Sequence, residues 1–279
     1  MLVTESLLRS IEALSIEAGE KIMEFYGSVS EVAVETKADD SPVTAADFAA
    51  NDIIVNGLQA LTPQLPIISE EAPLPEYSLR KTWPRYWLVD PLDGTKEFIA
   101  GNGEFTVNIA LIEQSIPVMG CVYAPAMQTL YSGALGFGAW KKTGDQRVLI
   151  QSKKILQAKK QEVFRVIGSR AYGIPDLPKK IIDHFSSIEY RRLGSSLKLC
   201  LIAEGEVDFY PRHRPTKEWD TAAAQAVLES SGGAVLTPTL EPLRYNLKAE
   251  ILNPSFYVVG DQGFDWSVLK TGGENSTLS

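Results

Sequence analysis

The apolar run Tyr86-Trp87-Leu88-Val89 ends abruptly in Asp90-Pro91-Leu92-Asp93-Gly94-Thr95. The run reads as a buried strand, and the residues after it restrict how that strand can end. Pro91 removes a backbone donor and sets φ, while Gly94 permits a tight turn. Such a turn folds Asp90 and Asp93 toward one point and aims the Leu92 carbonyl there. Two carboxylates and a carbonyl are hard oxygen ligands, the set that Mg2+ or Mn2+ prefers. The Thr95 hydroxyl stands beside them, placed to orient a water.

A second apolar strand, Ile67-Ile68, ends in Ser69-Glu70-Glu71, which brings Glu70 within reach of the same cluster. One strand end in a polar loop is ordinary; two with this chemistry favour a metal site. Asp220 opens a helix rich in small residues, Trp219-Asp220-Thr221-Ala222-Ala223-Ala224. A carboxylate in the first turn of a helix also simply complements its dipole. Thr44 and Asp47 have the spacing of a capping box at the start of a second helix. Capping accounts for these two, but not for Lys37 or Asp40 just before them.

Helical spacing predicts a first helix over residues 5 to 26, through Leu7, Leu8, Ile11, Leu14, Ala18, Ile22 and Phe25, capped by Thr4 and ended by Gly27. The second helix, 44 to 61, is expected to place Phe48, Val55 and Leu58 on one face. Strand signals follow at 66–69, 86–89, 106–112, 118–123, 129–132 and 139–141, with short Gly- and Pro-containing connections. These suggest a largely antiparallel sheet. Residues 141 to 160 carry seven Lys or Arg and read as exposed connecting structure and a domain boundary. Beyond it the pattern alternates: strands at 163–167, 188–191, 207–210 and 256–259, and helices at 178–185, 197–203 and 219–230. The fold class is α/β, with an α+β N-terminal half (1–150) carrying the metal site and an α/β C-terminal half (151–279) closing it. The tail from 271 to 279 is expected to be disordered.

A formal net charge of -8 argues against a general nucleic-acid binder. Cys121 and Cys200 sit inside apolar runs and read as buried thiols of a reducing cytoplasm. Two histidines are too few for a His-rich zinc site. No stretch reaches 18 apolar residues and the start lacks a basic segment, so neither a signal peptide nor a membrane span is expected.

Four elements in order, Asp40-Ser41-Pro42-Val43-Thr44-x-x-Asp47, Ser69-Glu70-Glu71, Asp90-Pro91-Leu92-Asp93-Gly94-Thr95 and Trp219-Asp220-x-x-Ala223, resemble the inositol monophosphatase superfamily of lithium-sensitive, Mg2+-dependent phosphomonoesterases. Within it, Thr95-Lys96-Glu97-Phe98, Asn102 to Asn108, Gly194-Ser195-Ser196-Leu197-Lys198, Ala203-Glu204-Gly205, Tyr210-Pro211-Arg212 and Pro215-Thr216 are most similar to the CysQ-type 3'(2'),5'-bisphosphate nucleotidases. His213-Arg214 departs from the smaller or apolar residue and Gly usual there, which leaves fine specificity open.

The resemblance implies a layered α-β-α-β-α sandwich and hydrolysis of the 3'-phosphate of adenosine 3',5'-bisphosphate to AMP and phosphate by metal-activated water, in sulfur assimilation. Glu70, Asp90, the Leu92 carbonyl, Asp93 and Asp220 match the metal ligands, for two or three Mg2+ with Mn2+ able to substitute. Asp47 and Thr95 match the pair that orients the attacking water. Substrate would touch Glu70, Leu92, Asp93, Asp220 and the Gly94 and Thr95 amides. The resemblance also allows a homodimer, and a cytoplasmic protein associated with the inner membrane's cytoplasmic face; the acidic chain itself favours a soluble one.

Gly194-Ser195-Ser196 before a helix offers amides, hydroxyls and the helix dipole to a phosphate. Lys198 is the only charge in the run 197–203; it either snorkels or grips substrate. Arg212 follows a strand end and either holds a second phosphate or is solvated. Inositol monophosphate and fructose 1,6-bisphosphate are the alternative substrates within the superfamily. A haloacid-dehalogenase-type phosphatase would need Asp-x-Asp-Gly-Thr, and Pro91 and the longer spacing speak against it. A non-catalytic nucleotide or metal sensor would commonly lack a ligand or the water-orienting pair, and every one is present.

Overall fold

The structure is a computed structural model that describes residues 3–27, 34–36, 42–155, 163–173, 176–185 and 187–269. Lys37, Asp39, Asp40 and Ser41 lie outside the described residues, as do 156–162 and the tail from 270.

Helix α1 (Glu5–Phe25) starts at Thr4, whose hydroxyl accepts from the Leu7 amide at 3.1 Å. A ribbon of β1 (Val34–Thr36) and β2 (Pro42–Thr44) leads into α2 (Ala45–Leu61). The expected face of α2 is corrected in part: Leu58 is buried as expected, but Phe48 is 45% exposed and Val55 half-buried, and Ala46, Ala50 and Ile54 complete the buried face with Leu58. Their i, i+4 spacing makes a narrow stripe of small and branched side chains against α1.

The first sheet runs in the order β3 (Ile67–Ser69), β4 (Arg85–Asp93), β5 (Thr106–Glu113), β6 (Ile116–Ala124), β7 (Thr129–Ala134), β8 (Gly138–Thr143) and β9 (Gln146–Ile150). Only β3 and β4 pair in parallel; the rest of this sheet is antiparallel. Two short helices, α3 (Tyr77–Arg80) and α4 (Thr95–Ile99), flank β4. Strand β9 corrects the expectation of exposed connecting structure after residue 141. Its Arg147 and exposed Val148 and Leu149 are what an edge strand carries, and they mask it as loop.

The second sheet has the order β11 (Ser187–Leu193), β10 (Val163–Ser169), β12 (Phe209–Arg212), β14 (Phe256–Val259) and β13 (Ala234–Leu236). Strands β10, β11 and β12 are parallel and β13 and β14 antiparallel to their neighbours. Helices α5 (Lys179–His184), α6 (Leu197–Ala203) and α7 (Trp219–Ser231) complete the set.

The alternation of side chains along the strands builds the layers. From β4, Trp87 and Val89 join the core under α1 and α2, while Tyr86 and Leu88 face the core shared with α6, α7 and the second sheet. Across the second sheet, Phe164, Phe209 and Val259 face a third core with Ile181 of α5 and Trp266. The order is helix, sheet, helix, sheet, helix. Close approach of α7 explains its small residues: a Cβ on Gly120 of β6 would stand 2.1 Å from the Ala223 carbonyl oxygen. That contact sets α7 close against β6.

Candidate active site

Strand β4 ends in a bulge. Asp90 pairs with Asn108 and Asp93 with Thr106, so the register shifts across Pro91 and Leu92. Pro91, without a donor, suits a position where the ladder is interrupted. Gly94 then adopts φ +93, open to glycine. The Leu92 amide donates to Asp90 Oδ1 at 3.1 Å, tying the buried carboxylate to its own turn.

Parallel pairing of β3 with β4 puts Ser69 beside Val89, and the Glu70 amide donates to the Val89 carbonyl at 3.1 Å. Glu70 therefore leaves its strand next to Asp90. From the other half of the chain, Asp220 arrives in the first turn of α7, with Oδ2 accepting from the Lys217 amide at 2.8 Å. Ligand oxygens of Glu70, Asp90 and Asp220 all lie within 4.8 Å of one another. Asp93 stands outside that trio, and its Oδ2 accepts from the Ser196 amide at 2.5 Å.

Asp47 divides its two oxygens. Oδ2 accepts from the Thr44 amide at 2.8 Å and from the Thr44 hydroxyl at 2.7 Å, closing the capping box. Oδ1 lies 3.3 Å from Thr95 Oγ1, which is also 3.3 Å from the Leu92 carbonyl oxygen. The capping reading of Asp47 and the site reading are thus met by different oxygens of one carboxylate.

The family model for the inositol monophosphatase family matches residues 4–263. The chain belongs to this family. Among curated relatives, the 3'(2'),5'-bisphosphate nucleotidase CysQ of Escherichia coli K12 is 45% identical over 252 residues, covering 90% of this chain and 99% of the relative. That of Haemophilus influenzae is 37% identical over 265 residues, covering 95% and 96%. The crystal structure of CysQ from Bacteroides thetaiotaomicron superimposes with a TM-score of 0.79 at 37% identity, covering 94% of this chain and all of that one.

The inositol monophosphatase fold brings a second set of side chains to the same cleft, which Asp93, Gly94 and Asp220 line together with Ser195, Ser196, Lys198 and Arg212. Ser196 is engaged on every side. Its amide serves Asp93, and its hydroxyl lies 2.9 Å from Thr106 Oγ1 and donates to Asn108 Oδ1 at 2.8 Å. It fixes the loop rather than presenting a spare donor. Ser195 has φ +47, in the left-handed region. Lys198 is buried; Nζ donates to the Ser195 carbonyl and lies 5.5 Å from the Tyr210 ring centroid. The Arg212 guanidinium is held by the carbonyls of Arg214, at 2.9 Å, and Pro215, at 3.2 Å. Sequence reasoning gave no role to Glu104, Arg170 or Tyr172. Glu104 joins the loop of Gly194, and Tyr172 lines the cleft. No local pattern marks Arg170 or Tyr172, and Glu104 stands inside the 102–108 segment of the resemblance with no role of its own assigned.

The carboxylates oppose one another. Burial, and then the charges of Glu70, Asp93, Asp220 and Asp47, hold Asp90 well above the usual carboxylate range. Burial and the charges of Asp93 and Glu70 do the same to Asp220. Asp93 is pushed up to about 6 by burial, against the opposing pull of Lys198 and the Ser196 amide. A half-buried set of hard, mutually repelling oxygens fits a divalent cation such as Mg2+ or Mn2+.

An acid whose folded pKa lies above its unfolded value binds its proton more tightly when folded. Its contribution to stability is therefore greatest below the unfolded value and falls as pH rises. In chelator, the melting temperature is expected to decline as pH climbs from about 4 through about 6. Mg2+ at about 100 times its Kd should restore roughly 2.7 kcal/mol. Thermal melts across pH with and without Mg2+ check this. A melting temperature at neutral pH that ignores Mg2+ would remove the cluster as a metal site.

Proposed function

We propose that the protein is a Mg2+-dependent phosphomonoesterase that hydrolyses the 3'-phosphate of adenosine 3',5'-bisphosphate, giving AMP and phosphate. What carries the reading is one cleft lined both by Asp93 and Asp220 and by two cations, Lys198 and Arg212. The likeness to the CysQ bisphosphate nucleotidases supports it. Lys198 is held down to about 8, first by burial and also by the charge of Arg212, against the nearby Asp93. Two cations that repel each other beside a carboxylate cluster suit a substrate with one phosphate to cleave and a second to hold.

In this reading Glu70, Asp90, the Leu92 carbonyl, Asp93 and Asp220 hold two or three ions, with Mn2+ able to substitute. When bound, the ions stabilise charge on the phosphoryl oxygens and lower the pKa of water. Asp47 accepts from Thr95 Oγ1, leaving the lone pairs of that hydroxyl to accept a hydrogen bond from the attacking water; as the water's proton moves to Oγ1, the Thr95 proton passes to Asp47. The Gly94 and Thr95 amides face the phosphate that leaves, and Ser195, Lys198 and Arg212 bind the one that stays. Residues 1–150 then act as the metal-site half and 151–279 as the half that closes over it. A cytoplasmic setting and a homodimer belong to the same reading, the latter measurable by sedimentation. Among the described residues no helix is long and apolar enough to cross a membrane.

Phosphate release from adenosine 3',5'-bisphosphate, inositol 1-phosphate and fructose 1,6-bisphosphate in Mg2+ tests the substrate class. The nucleotide is expected to be cleaved with the highest kcat/KM; preference for either sugar phosphate would reassign the enzyme within its family. Lys198→Ala or Arg212→Ala should lower kcat/KM for the bisphosphate by roughly 10- to 150-fold, the worth of a charge-assisted contact. Hydrolysis of 3'-AMP, which lacks the second phosphate, should change little. Equal losses on both substrates would show that the two cations serve the catalytic centre instead.

A further inference from the structure

We propose that Glu104 is a positioning residue for catalysis: with Arg170 it locks the Gly194-Ser195-Ser196 loop so that the Ser196 amide orients Asp93. The inference rests on the phosphomonoesterase reading. Glu104 lies in the loop between α4 and β5, is 7% exposed, and faces the C-terminal half. Its Oε2 accepts from the Gly194 amide at 2.8 Å and from Arg170 Nε at 2.6 Å, while Oε1 accepts from the second Arg170 nitrogen. A two-pronged guanidinium pair fixes the carboxylate in plane as well as in distance.

The backbone of Glu104 is wedged as tightly as its side chain. A Cβ on Gly94 would stand 3.1 Å from the Glu104 carbonyl oxygen, and one on Gly194 would stand 3.0 Å from it. Residue 104 therefore touches both the glycine that follows Asp93 and the glycine that opens the 194–196 loop. Between the anchored Gly194 amide and the anchored Ser196 amide stands Ser195, at φ +47. A non-glycine residue in that region is strained and persists where its neighbours over-determine it. Glu104 supplies one of the two anchors. Without it, Ser195 can relax, and the Ser196 amide moves off Asp93 Oδ2. Misplacement of a reacting geometry by about 1 Å costs on the order of 100-fold in rate.

The test is a double-mutant cycle on the full chain in saturating Mg2+. Glu104→Ala, Arg170→Ala, the double variant and Glu104→Gln are assayed on adenosine 3',5'-bisphosphate and on p-nitrophenyl phosphate, with thermal melts alongside. Glu104→Ala should lower kcat roughly 10- to 100-fold on both esters. Glu104→Gln, whose amide oxygen still accepts from Gly194 while its NH2 faces the second Arg170 nitrogen, should recover part of that, to about the level of Arg170→Ala. Arg170→Ala should lower kcat in the wild-type background and add little once Glu104 is gone, since it acts through the carboxylate. Losses that multiply in the double variant would show Arg170 acting independently and overturn the proposal. So would a Glu104→Ala protein that melts earlier but keeps wild-type kcat while folded. Wild-type protein inactive on both esters would overturn the parent reading and this inference together.

Discussion

Asp93→Asn is expected to fold and to lose turnover on the order of a thousandfold, because loss of a charged ligand removes several kcal/mol of charge stabilisation in the transition state. The substitution is nearly isosteric, and the asparagine oxygen can still accept from the Ser196 amide that now holds Oδ2 at 2.5 Å. The loop contact thus survives while the charge does not. Removing that charge also relieves Asp90 and Asp220, whose carboxyls its field helps push upward. Melts in chelator near neutral pH should accordingly show the variant no less stable than wild type, and Mg2+ should raise its melting temperature less. The combination of lost turnover and kept stability separates a ligand from a structural aspartate. Near wild-type turnover at saturating Mg2+ would take Asp93 out of the metal site.

What could be read from the chain follows the range of the signals. Asp90 and Glu70 announce themselves locally, because each stands where an apolar strand stops; Asp220, in the first turn of a helix, reads equally well as a partner of the helix dipole. The parallel register Ser69 to Val89 then brings the first two together. The layered order came with the family resemblance; the small residues of α7 marked only close packing against a neighbour. Contacts between distant parts of the chain left no such mark. Ser196 meets Asp93 across 103 residues, and Glu104 meets Gly194 across 90. Neither pair can be anticipated without knowing that α6 packs beside the mouth of β4. Phe48 failed as a core residue because helical spacing marks an apolar side chain without saying whether a partner surface reaches it. Strand β9 failed because the Lys and Arg residues on either side of it read as loop, while its Val148 and Leu149 lie exposed at the sheet edge.

The Asp47–Thr95 pair gives the other large effect. Thr95→Ala should cut turnover 100- to 10,000-fold, the usual contribution of a positioned acid–base group, with little change in the Mg2+ concentration needed for half activity. It should also leave stability nearly unaltered, since the Thr95 hydroxyl's contacts among the described residues are two long ones, at 3.3 Å. Asp47→Asn should lose turnover to a similar extent but destabilise the protein as well. An amide at residue 47 can present its oxygen to Thr44 or to Thr95, not to both. Turned toward Thr44 it keeps part of the capping box and leaves Thr95 facing an N–H; turned the other way it forfeits the cap, worth about 0.5–2 kcal/mol. Melts therefore distinguish the two variants where activity does not. Thr95→Ser, which retains the hydroxyl, should recover much of the rate. If instead both variants keep their turnover and only need more Mg2+, the pair serves the metal site, and the proton of the attacking water goes elsewhere.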